Sequence, residues 1–346
     1  MIHLKRLLLI LLIVGFSVAE IFGSGQNRAG TSGAPELRIP VGARYLAMSG
    51  AAIANVSGLE AIYWNPAGVD LSTTDANAMF SYRQYIADMS MNFAAVSGRL
   101  GDLGSIGLSF RSLNIGDIPV TTMDQPDGTG QIISPSYFVL GLTYSKQLTD
   151  RISIGTNFNI ISENIDRASS SGFSFDFGVE YNNLFDVQGF AVGVVVKNLG
   201  PTMAFSGNGL YVQANDQGSS RGPTYYKFDA SSAELPSEIG LGLSYLRHFD
   251  EENALSVSAT FQNNNFTYDD YKVGLEYNFK ELLYVRAGYL ASFQATDESP
   301  NIWQNYTVGV GVNTKEFSDI NLSVDYAYVP AKYFDANNVF SLTFGF

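Results

Sequence analysis

Few residues of this chain could perform acid, base or metal chemistry. Its two histidines are His3, in the signal-like N-terminal segment, and His248, in a predicted turn, and it has no cysteine. A zinc site or a histidine-based catalytic triad needs several such side chains at one place. We therefore expect no metal site, no cofactor and no enzymatic activity.

Carboxylates on alternating segments are the remaining candidates for acid and base chemistry. Four of them share the polar side of their segments, namely Asp176, Glu180, Glu276 and Asp325. Cations occupy the same side, namely Arg111, Lys197, Lys272 and Arg286. A catalytic carboxylate pair is conceivable, but counter-charge for these cations is the better interpretation. The acidic residues at 250–252 and 269–270 could attract a cation, although solvated turn charge explains them better.

The N-terminus has the pattern of a secretory signal peptide. Lys5 and Arg6 precede an apolar run over residues 7–18, and Ser17, Val18 and Ala19 form a small-x-small cleavage site. A membrane anchor is the alternative, but the run is shorter than the roughly 18 residues that a spanning helix needs. We predict that residues 1–19 direct export and are then removed.

Composition excludes disorder and argues against nucleic-acid binding. Hydrophobic residues make up 46% of the chain, which is enough to fold, and the formal net charge of −13 repels phosphate backbones. No run of about 20 apolar residues follows the N-terminal one, so a transmembrane helix is not expected. If the mature chain crosses a membrane, it does so with strands.

The remaining sequence alternates between apolar and polar residues, as strands with two different faces do. From Phe340 to Phe346 every second residue is apolar, with serine, threonine and glycine between. Fourteen such segments follow one another, at 77–87, 90–100, 104–114, 135–147, 151–164, 172–182, 189–199, 236–247, 253–263, 268–279, 282–293, 303–314, 318–329 and 336–346.

Two fold classes explain this alternation. A soluble sandwich or propeller alternates because one face packs inward. A transmembrane barrel also predicts ionisable groups on the polar face, aromatic residues at the strand ends, and short turns alternating with longer loops. The two longest connections, 115–134 and 200–235, both follow odd-numbered strands, as a barrel requires. We predict an all-β, fourteen-stranded antiparallel barrel over residues 76–346, in contact with the lipid of the outer membrane of a Gram-negative bacterium.

The chain ends on an aromatic residue of an alternating strand. Phe344 and Phe346 lie on the apolar side of that strand. A C-terminal phenylalanine in this position resembles the signal by which outer-membrane proteins are recognised for insertion. We predict that these two residues serve in membrane insertion.

Residues 20–75 precede the barrel and do not alternate. Short helices are predicted at 42–48 and 59–64, and Pro66 ends the second one because it disfavours the α conformation at Asn65. A barrel of fourteen strands is too wide for its own side chains to fill. We predict that this N-terminal hatch segment plugs the barrel. The motif Asn65, Pro66, Ala67 and Gly68 either stops the helix or also ties the plug to the barrel.

Two stretches carry a resemblance to known families. "GARYLAMSGAAIANVSGLEAIYWNPAGV" (42–69) resembles the hatch of the FadL family of long-chain fatty-acid channels, and "GTSGAPELRIPVGARYLAMSGAA" (30–52) resembles the start of mature PorV/PorQ proteins more closely. Ser49 departs from the glycine usual there. "VVVKNLGPTMAF" (194–205) and "LPSEIGLGLSY" (235–245) also resemble PorV/PorQ landmarks.

The resemblance implies a function in type IX secretion. For PorV it implies binding or shuttling of cargo proteins through their C-terminal sorting domains, together with translocon components. Four aromatic residues of the second long loop could anchor such a partner, namely Tyr211, Tyr225, Tyr226 and Phe228. A FadL-like passive channel for hydrophobic small molecules is the alternative, and a barrel without transport activity is a third.

Overall fold

The computed structural model describes residues 28–214, 223–293, 302–314 and 321–346. The predicted signal peptide, residues 1–19, lies outside the described residues. Fourteen of the strands form one closed antiparallel barrel, and the other four form two small hairpins. The strands are β1 (Ala76–Gln84), β2 (Ser90–Arg99), β3 (Ser105–Asn114), β4 (Ile118–Pro119), β5 (Ile132–Ile133), β6 (Ser136–Gln147), β7 (Ile152–Ile165), β8 (Ala168–Asn182), β9 (Phe190–Leu199), β10 (Tyr211–Ala214), β11 (Thr224–Lys227), β12 (Glu238–His248), β13 (Asn253–Asn264), β14 (Asp270–Phe279), β15 (Leu283–Ala291), β16 (Tyr306–Asn313), β17 (Asn321–Val329) and β18 (Asn337–Gly345).

The barrel closes where its first strand meets its last. β1 pairs with β18 from Asn77 opposite Gly345 to Arg83 opposite Val339. Each of the other barrel strands pairs with its two neighbours in the chain, with the hairpins β4–β5 and β10–β11 outside the wall. The barrel has no edge strand with unpaired backbone groups, as is required of a sheet that crosses a lipid bilayer.

The alternation of side chains identifies the two faces of the wall. On β8, Phe177 and Val179 are 49% and 44% exposed on the outside, whereas Asp176 and Glu180 are 4% and 1% exposed on the inside. An outward apolar face and an inward polar face are the arrangement of a transmembrane barrel. A soluble sandwich would bury the apolar face, so that alternative is wrong.

The connections differ at the two ends of the barrel. The three long ones join β3 to β6, β9 to β12 and β15 to β16, and they leave the wall at the same end, which we call the loop end. The opposite end, which we call the turn end, carries short connections such as 148–151 and 280–282. The barrel's own first and last residues meet at the turn end, where the Phe346 N–H donates to the Ala76 carbonyl at 2.9 Å.

The hatch segment runs through the barrel from one end to the other. At the loop end the Arg28 guanidinium contacts the Glu234 carboxylate at 2.7 Å. At the turn end the Arg99 guanidinium donates to the Ser72 carbonyl at 2.6 Å. Short helices lie along this path, at Pro35–Arg38, Ala43–Leu46, Ala61–Trp64 and Pro66–Leu71, and three further ones lie in connections, at Gly101–Leu103, Leu184–Asp186 and Asn208–Leu210. None of the helices among these described residues is long and apolar enough to cross a membrane.

The hydrophobic core lies between the hatch and the inner wall. Tyr45, Met48 and Trp64 of the hatch are buried in one cluster with Met91 and Phe93 of β2. Inside a closed barrel of this width there is no second sheet against which the inner face of the wall could pack. The hatch therefore supplies the apolar surface against which the inner wall packs.

Candidate functional site: the hatch and the loop end

Asn65 both ends a helix and contacts the wall. Its backbone is extended, with φ −158° and ψ 107°, directly after the helix Ala61–Trp64. Its side-chain amide donates to the Ile53 carbonyl at 2.8 Å and to the Val179 carbonyl of β8 at 3.2 Å. Its side-chain oxygen accepts from the Ala67 N–H at 3.2 Å, which caps the next helix. Both interpretations of the motif therefore have a structural basis in the same residue.

Glycines of the wall make room for this motif. A Cβ atom on Gly178 would lie 1.8 Å from the Asn65 side-chain oxygen, and one on Gly155 would lie 2.2 Å from the Pro66 carbonyl carbon. Within the hatch, a Cβ on Gly68 would lie 2.1 Å from the Val56 carbonyl oxygen. Contacts this short require glycine, because a side chain at Gly155 or Gly68 would collide with backbone, and one at Gly178 would displace the Asn65 side chain. The hatch thus lies directly on the backbone of β7 and β8.

Polar side chains of the wall bind the backbone of the hatch. Short helices leave most of their N–H and C=O groups without partners inside the helix, and buried groups of this kind need another partner. The wall supplies them: Ser341 accepts from the Ala43 N–H at 2.8 Å, and Thr307 donates to the Ala47 carbonyl at 2.9 Å. Ser145 likewise donates to the Ala67 carbonyl at 2.9 Å. These three hydroxyl groups of the inner face therefore satisfy backbone groups of the hatch.

A chain of charges links the hatch to three strands. The Arg44 guanidinium of the hatch donates two hydrogen bonds to the Glu276 carboxylate, at 2.8 and 3.0 Å. Arg286 contacts the same carboxylate at 2.6 Å and Asp325 at 2.6 Å. For Glu276 and Asp325 the prediction of counter-charge is confirmed. Arg44 was missed, because its partner lies 232 residues away in the sequence.

The other two predicted carboxylates form no ion pair within the described parts of the chain, although Asp176 lies close enough to Lys197 for their charges to interact. Asp176 accepts hydrogen bonds from the amides of Asn157 and Asn159 and from the Asn198 N–H. Glu180 is buried, and neither of its carboxylate oxygens has a hydrogen-bond partner among the described residues. The counter-charge interpretation is therefore wrong for Glu180, whose environment is set by burial alone. For Asp176 it holds in part, because this carboxylate interacts electrostatically with Lys197.

Two carboxyl groups of the hatch have strongly shifted pKa values. Burial raises the pKa of Glu60 to about 8, although its carboxylate accepts from the Arg44 and Tyr45 N–H groups at 3.3 Å. Burial and the nearby charge of Glu163 raise the pKa of Glu36 to about 8. Both groups favour their neutral form inside the barrel. In the described parts of the chain no three potential metal ligands come together.

The predicted aromatic anchors lie on a hairpin at the loop end. Tyr211 opposes Lys227, and Val212 opposes Tyr226, in the two-stranded pairing of β10 with β11. Tyr225 is 68% exposed and Phe228 is 63% exposed. Aromatic side chains in such numbers are rarely left in water unless a partner covers them. We call this feature the aromatic hairpin.

The insertion residues predicted at the C-terminus lie on the outside of the barrel. Phe344 of β18 pairs with Ala78 and with Leu322. Phe346 follows the strand and is exposed at the turn end. An exposed aromatic residue at the end of the barrel occupies the position of the aromatic girdle at a membrane interface.

A cavity of about 440 Å³ lies above the hatch. Hatch residues such as Leu46 and Trp64 form its floor, and Arg83 of β1 and Lys272 of β14 form part of its wall. Residues at the loop end, including Trp303, form its upper rim. We call this cavity the vestibule. Its volume is within the range of small-molecule sites.

The comparisons with known proteins agree on the class of molecule. The sequence profile of the family described as type IX secretion system protein PorV matches residues 22–265. No curated protein sequence matches the chain.

Solved structures share the fold at low sequence identity. The Ralstonia pickettii toluene transporter TbuX is 12% identical, with a TM-score of 0.55, over 88% of this chain and 98% of that one. The Pseudomonas putida toluene transporter TodX is 12% identical, with a TM-score of 0.54, over 88% and 96%. A Pseudomonas aeruginosa FadL homologue is 11% identical, with a TM-score of 0.50, over 88% and 98%.

Proposed function

Because the chain belongs to the PorV family of type IX secretion proteins, we propose that it binds secreted cargo proteins at the outer membrane and passes them on for attachment. The partners are the C-terminal sorting domain of the cargo and components of the translocon. The aromatic hairpin is the observation that carries this proposal. It presents Tyr211, Tyr225, Tyr226 and Phe228, all exposed, at the loop end.

The filled lumen supports an external binding surface. The hatch packs against the inner wall along its length, with Tyr45 fully buried and Asn65 bonded to β8. A folded or extended polypeptide could pass through the barrel only if these contacts broke. Binding at the loop end requires no such change, and rigid aromatic side chains are the type that contributes most to protein interfaces.

Binding of a cargo domain to the purified barrel tests this proposal. A C-terminal sorting domain from a type IX cargo protein of the same organism is immobilised, and the barrel in nonionic detergent is passed over it. We expect binding by the wild type. Replacing the four aromatics of the hairpin by serine should weaken binding at least tenfold, since truncating one such anchor costs about 2 kcal/mol.

Phe249→Ser supplies the matched control. Phe249 is also an exposed aromatic, but it lies in the connection after β12, at the turn end. Its replacement should leave cargo binding unchanged. Equal binding by the wild type and the four-residue variant would contradict the proposal, and so would a wild type that binds no sorting domain.

A passive channel for hydrophobic small molecules is the second candidate. The vestibule, which opens beside apolar and aromatic residues of the hatch, is the observation that favours it. Uptake of a labelled long-chain fatty acid by cells that lack their own outer-membrane transporter distinguishes the two. Uptake that depends on this chain would favour the channel, and no uptake together with cargo binding would favour the shuttle.

A further inference from the structure

The aromatic hairpin has an edge whose backbone groups point into solvent. In an antiparallel pair, residues that exchange hydrogen bonds with the partner strand alternate with residues whose N–H and C=O groups point away from it. The Phe228 N–H donates to the Leu210 carbonyl at 2.9 Å. Tyr226, two residues earlier, occupies an equivalent position in the pairing of β10 with β11. Tyr225 and Lys227 lie between these positions, so their backbone N–H and C=O groups point away from the hairpin.

This edge of β11 is open. Within residues 28–214, 223–293, 302–314 and 321–346, no backbone group bonds to the outward groups of Tyr225 and Lys227. The side chains of both strands of the hairpin are exposed, so no other described element covers the edge. The opposite edge, on β10, is partly used, because the Tyr211 N–H donates to the Asn208 carbonyl. An open strand edge is a template on which another strand can pair.

Backbone hydrogen bonds hold the base of the hairpin. Ser206, which precedes the hairpin, exchanges two hydrogen bonds with Ser169 of β8, at 2.8 and 2.9 Å. Met203 and Ala233, on the two segments that lead into and out of the hairpin, exchange two more, at 2.8 and 2.7 Å. A binding surface that is ordered before its partner arrives loses little conformational freedom on binding. The barrel therefore presents the edge of β11 in a fixed position.

The side chains of the hairpin indicate what kind of strand the edge accepts. Lys227 is exposed, and no carboxylate of the described residues forms an ion pair with it. A lysine on an edge disfavours pairing with a second copy of the same edge, since like charges then come close together. A strand that carries a carboxylate opposite Lys227 is attracted instead. Tyr225 and Tyr211 lie on the same face as Lys227, and Tyr226 lies on the other, so an added strand contacts aromatic rings on both of its faces.

We propose that the edge of β11 binds an extended, carboxylate-bearing strand of the cargo sorting domain by strand addition. The backbone N–H and C=O groups of Tyr225 and Lys227 bond to the added strand, and the Lys227 ammonium pairs with its carboxylate. The rings of Tyr225 and Tyr226 contact its alternate side chains. This inference rests on the proposed function and deepens it, because it assigns part of the affinity to the backbone of the hairpin.

Proline substitution separates the backbone from the side chain. Tyr225→Pro removes the outward N–H, which an edge strand tolerates, whereas Tyr225→Ala removes only the ring. Both barrels are passed over the immobilised sorting domain. Tyr225→Pro should bind about tenfold more weakly than Tyr225→Ala, since backbone hydrogen bonds to the added strand are lost. Gln213→Pro and Gln213→Ala are the matched control, because Gln213 lies opposite Tyr225 on β10 and points its N–H to the other edge. These two should bind equally well.

The charge of the edge is tested separately. Lys227→Gln should bind the sorting domain about threefold more weakly and should lose part of the salt dependence of binding. Lys332→Gln is its control, because Lys332 is an exposed lysine in the connection between β17 and β18, also at the loop end, and its replacement should leave binding unchanged. Equal affinity and salt dependence of Lys227→Gln and the wild type would contradict the choice of a carboxylate-bearing strand.

Hydrogen exchange detects strand addition in the unsubstituted protein. With the sorting domain bound, the backbone amides of Tyr225 and Lys227 should exchange about tenfold more slowly, and that of Gln213 should not change. Mass spectrometry of overlapping fragments measures both strands. If Tyr225→Pro does not fold, as judged by heat-dependent gel mobility, this measurement decides alone.

The outcomes separate this inference from the proposed function. Equal binding by Tyr225→Pro and Tyr225→Ala, or unchanged exchange at Tyr225 and Lys227 in the complex, would overturn strand addition and leave cargo binding by the aromatic side chains in place. A wild type that binds no sorting domain would overturn both. A dimer of the purified barrel in detergent that Tyr225→Pro dissociates would assign the edge to a second copy of the chain and overturn the inference as well.

Discussion

At the scale of single residues, small and polar side chains determine how closely the hatch can approach the wall. Asn65 joins the hatch to β8 through the Val179 carbonyl, and Gly178 leaves the space that this contact needs. A Cβ on Gly178 would displace the Asn65 side chain, because it would lie 1.8 Å from the side-chain oxygen. Docking of the hatch therefore depends on a few positions rather than on the general polarity of the lumen.

Gly178→Ala should weaken the docking of the hatch. The new Cβ would lie 1.8 Å from the Asn65 side-chain oxygen, so the hatch must shift. Overpacking of this kind costs about 1–3 kcal/mol. The variant should lower the urea midpoint of the transition reported by Trp64 fluorescence in a background where Trp303 is phenylalanine. Gly98→Ala, whose Cβ would have no neighbour within 4 Å, should leave the midpoint almost unchanged.

The carboxyl groups of the hatch should make its docking depend on pH. Glu36 has its pKa raised from 4.5 to about 8 by burial and by Glu163, with Arg111 acting in the opposite direction. Between these two values the docked hatch keeps a proton that the undocked hatch loses. Docking should therefore weaken as pH rises from about 4.5 to about 8, and should change little above that.

Glu36→Gln tests this pH dependence. The amide cannot titrate, so the decrease in urea midpoint between pH 5 and pH 8 should become smaller. It should not vanish, because the pKa of Glu60 is also raised to about 8. Glu251→Gln, in the exposed connection after β12, is the control and should keep the full decrease. A midpoint that rises with pH in the wild type would contradict the assigned direction.

At the scale of elements, local alternation predicted the strands, because each wall residue faces either lipid or the lumen. All fourteen barrel strands were predicted, with small differences at their ends. β8 begins at Ala168 rather than at 172, since Ser169, Ser170 and Ser171 carry no apolar pattern. Its extension pairs Ile165 with Ala168 across a two-residue turn.

Contacts between distant elements could not be predicted from the sequence. Two of the four hatch helices, Ala43–Leu46 and Ala61–Trp64, were predicted from composition and from Pro66, because these signals are local. The short helices Pro35–Arg38 and Pro66–Leu71 were not predicted. The ion pair of Arg44 with Glu276 and the amide environment of Asp176 depend on how the hatch crosses the lumen. One sequence contains no signal for such pairings. The hairpin β10–β11 was also predicted only as a loop with aromatic residues.

The end of the last strand should affect assembly of the barrel in the membrane more than the stability of the assembled barrel. Phe346 extends from the closing strand pair at the turn end, where its side chain is exposed and its backbone bonds to Ala76. Phe346→Ser should lower the amount of folded barrel in the outer membrane several-fold, since recognition and girdle contacts are lost. Barrel that does assemble should keep the wild-type unfolding temperature. Quantitative blots of membrane fractions, with Phe334→Ser at the loop end as control, measure this. Normal levels of Phe346→Ser would contradict the prediction.

At the scale of the whole molecule, the chain is an outer-membrane barrel of the PorV family with a hatch that fills its lumen. The outward belt of apolar side chains matches the hydrocarbon layer, and the long loops and the aromatic hairpin lie together at one end. The fold is that of channel and transport barrels. In this chain the interior is occupied by the hatch, so the surfaces left for partners are the loop end and the vestibule.

Conductance in a planar lipid bilayer tests most directly whether the hatch closes the barrel. The wild type should conduct almost no ions. Deletion of residues 28–75 should open a pore, because the inner wall that remains carries serine, asparagine, glycine and charged side chains. The conductance of Asn65→Ala should lie between those of the wild type and the deletion. This variant loses the hydrogen bonds from Asn65 to the Val179 carbonyl of the wall and to the Ile53 carbonyl of the hatch, which weakens docking by about 1–3 kcal/mol. Circular dichroism and heat-dependent mobility verify each barrel. Conductance that is equal in all three folded proteins would contradict the account.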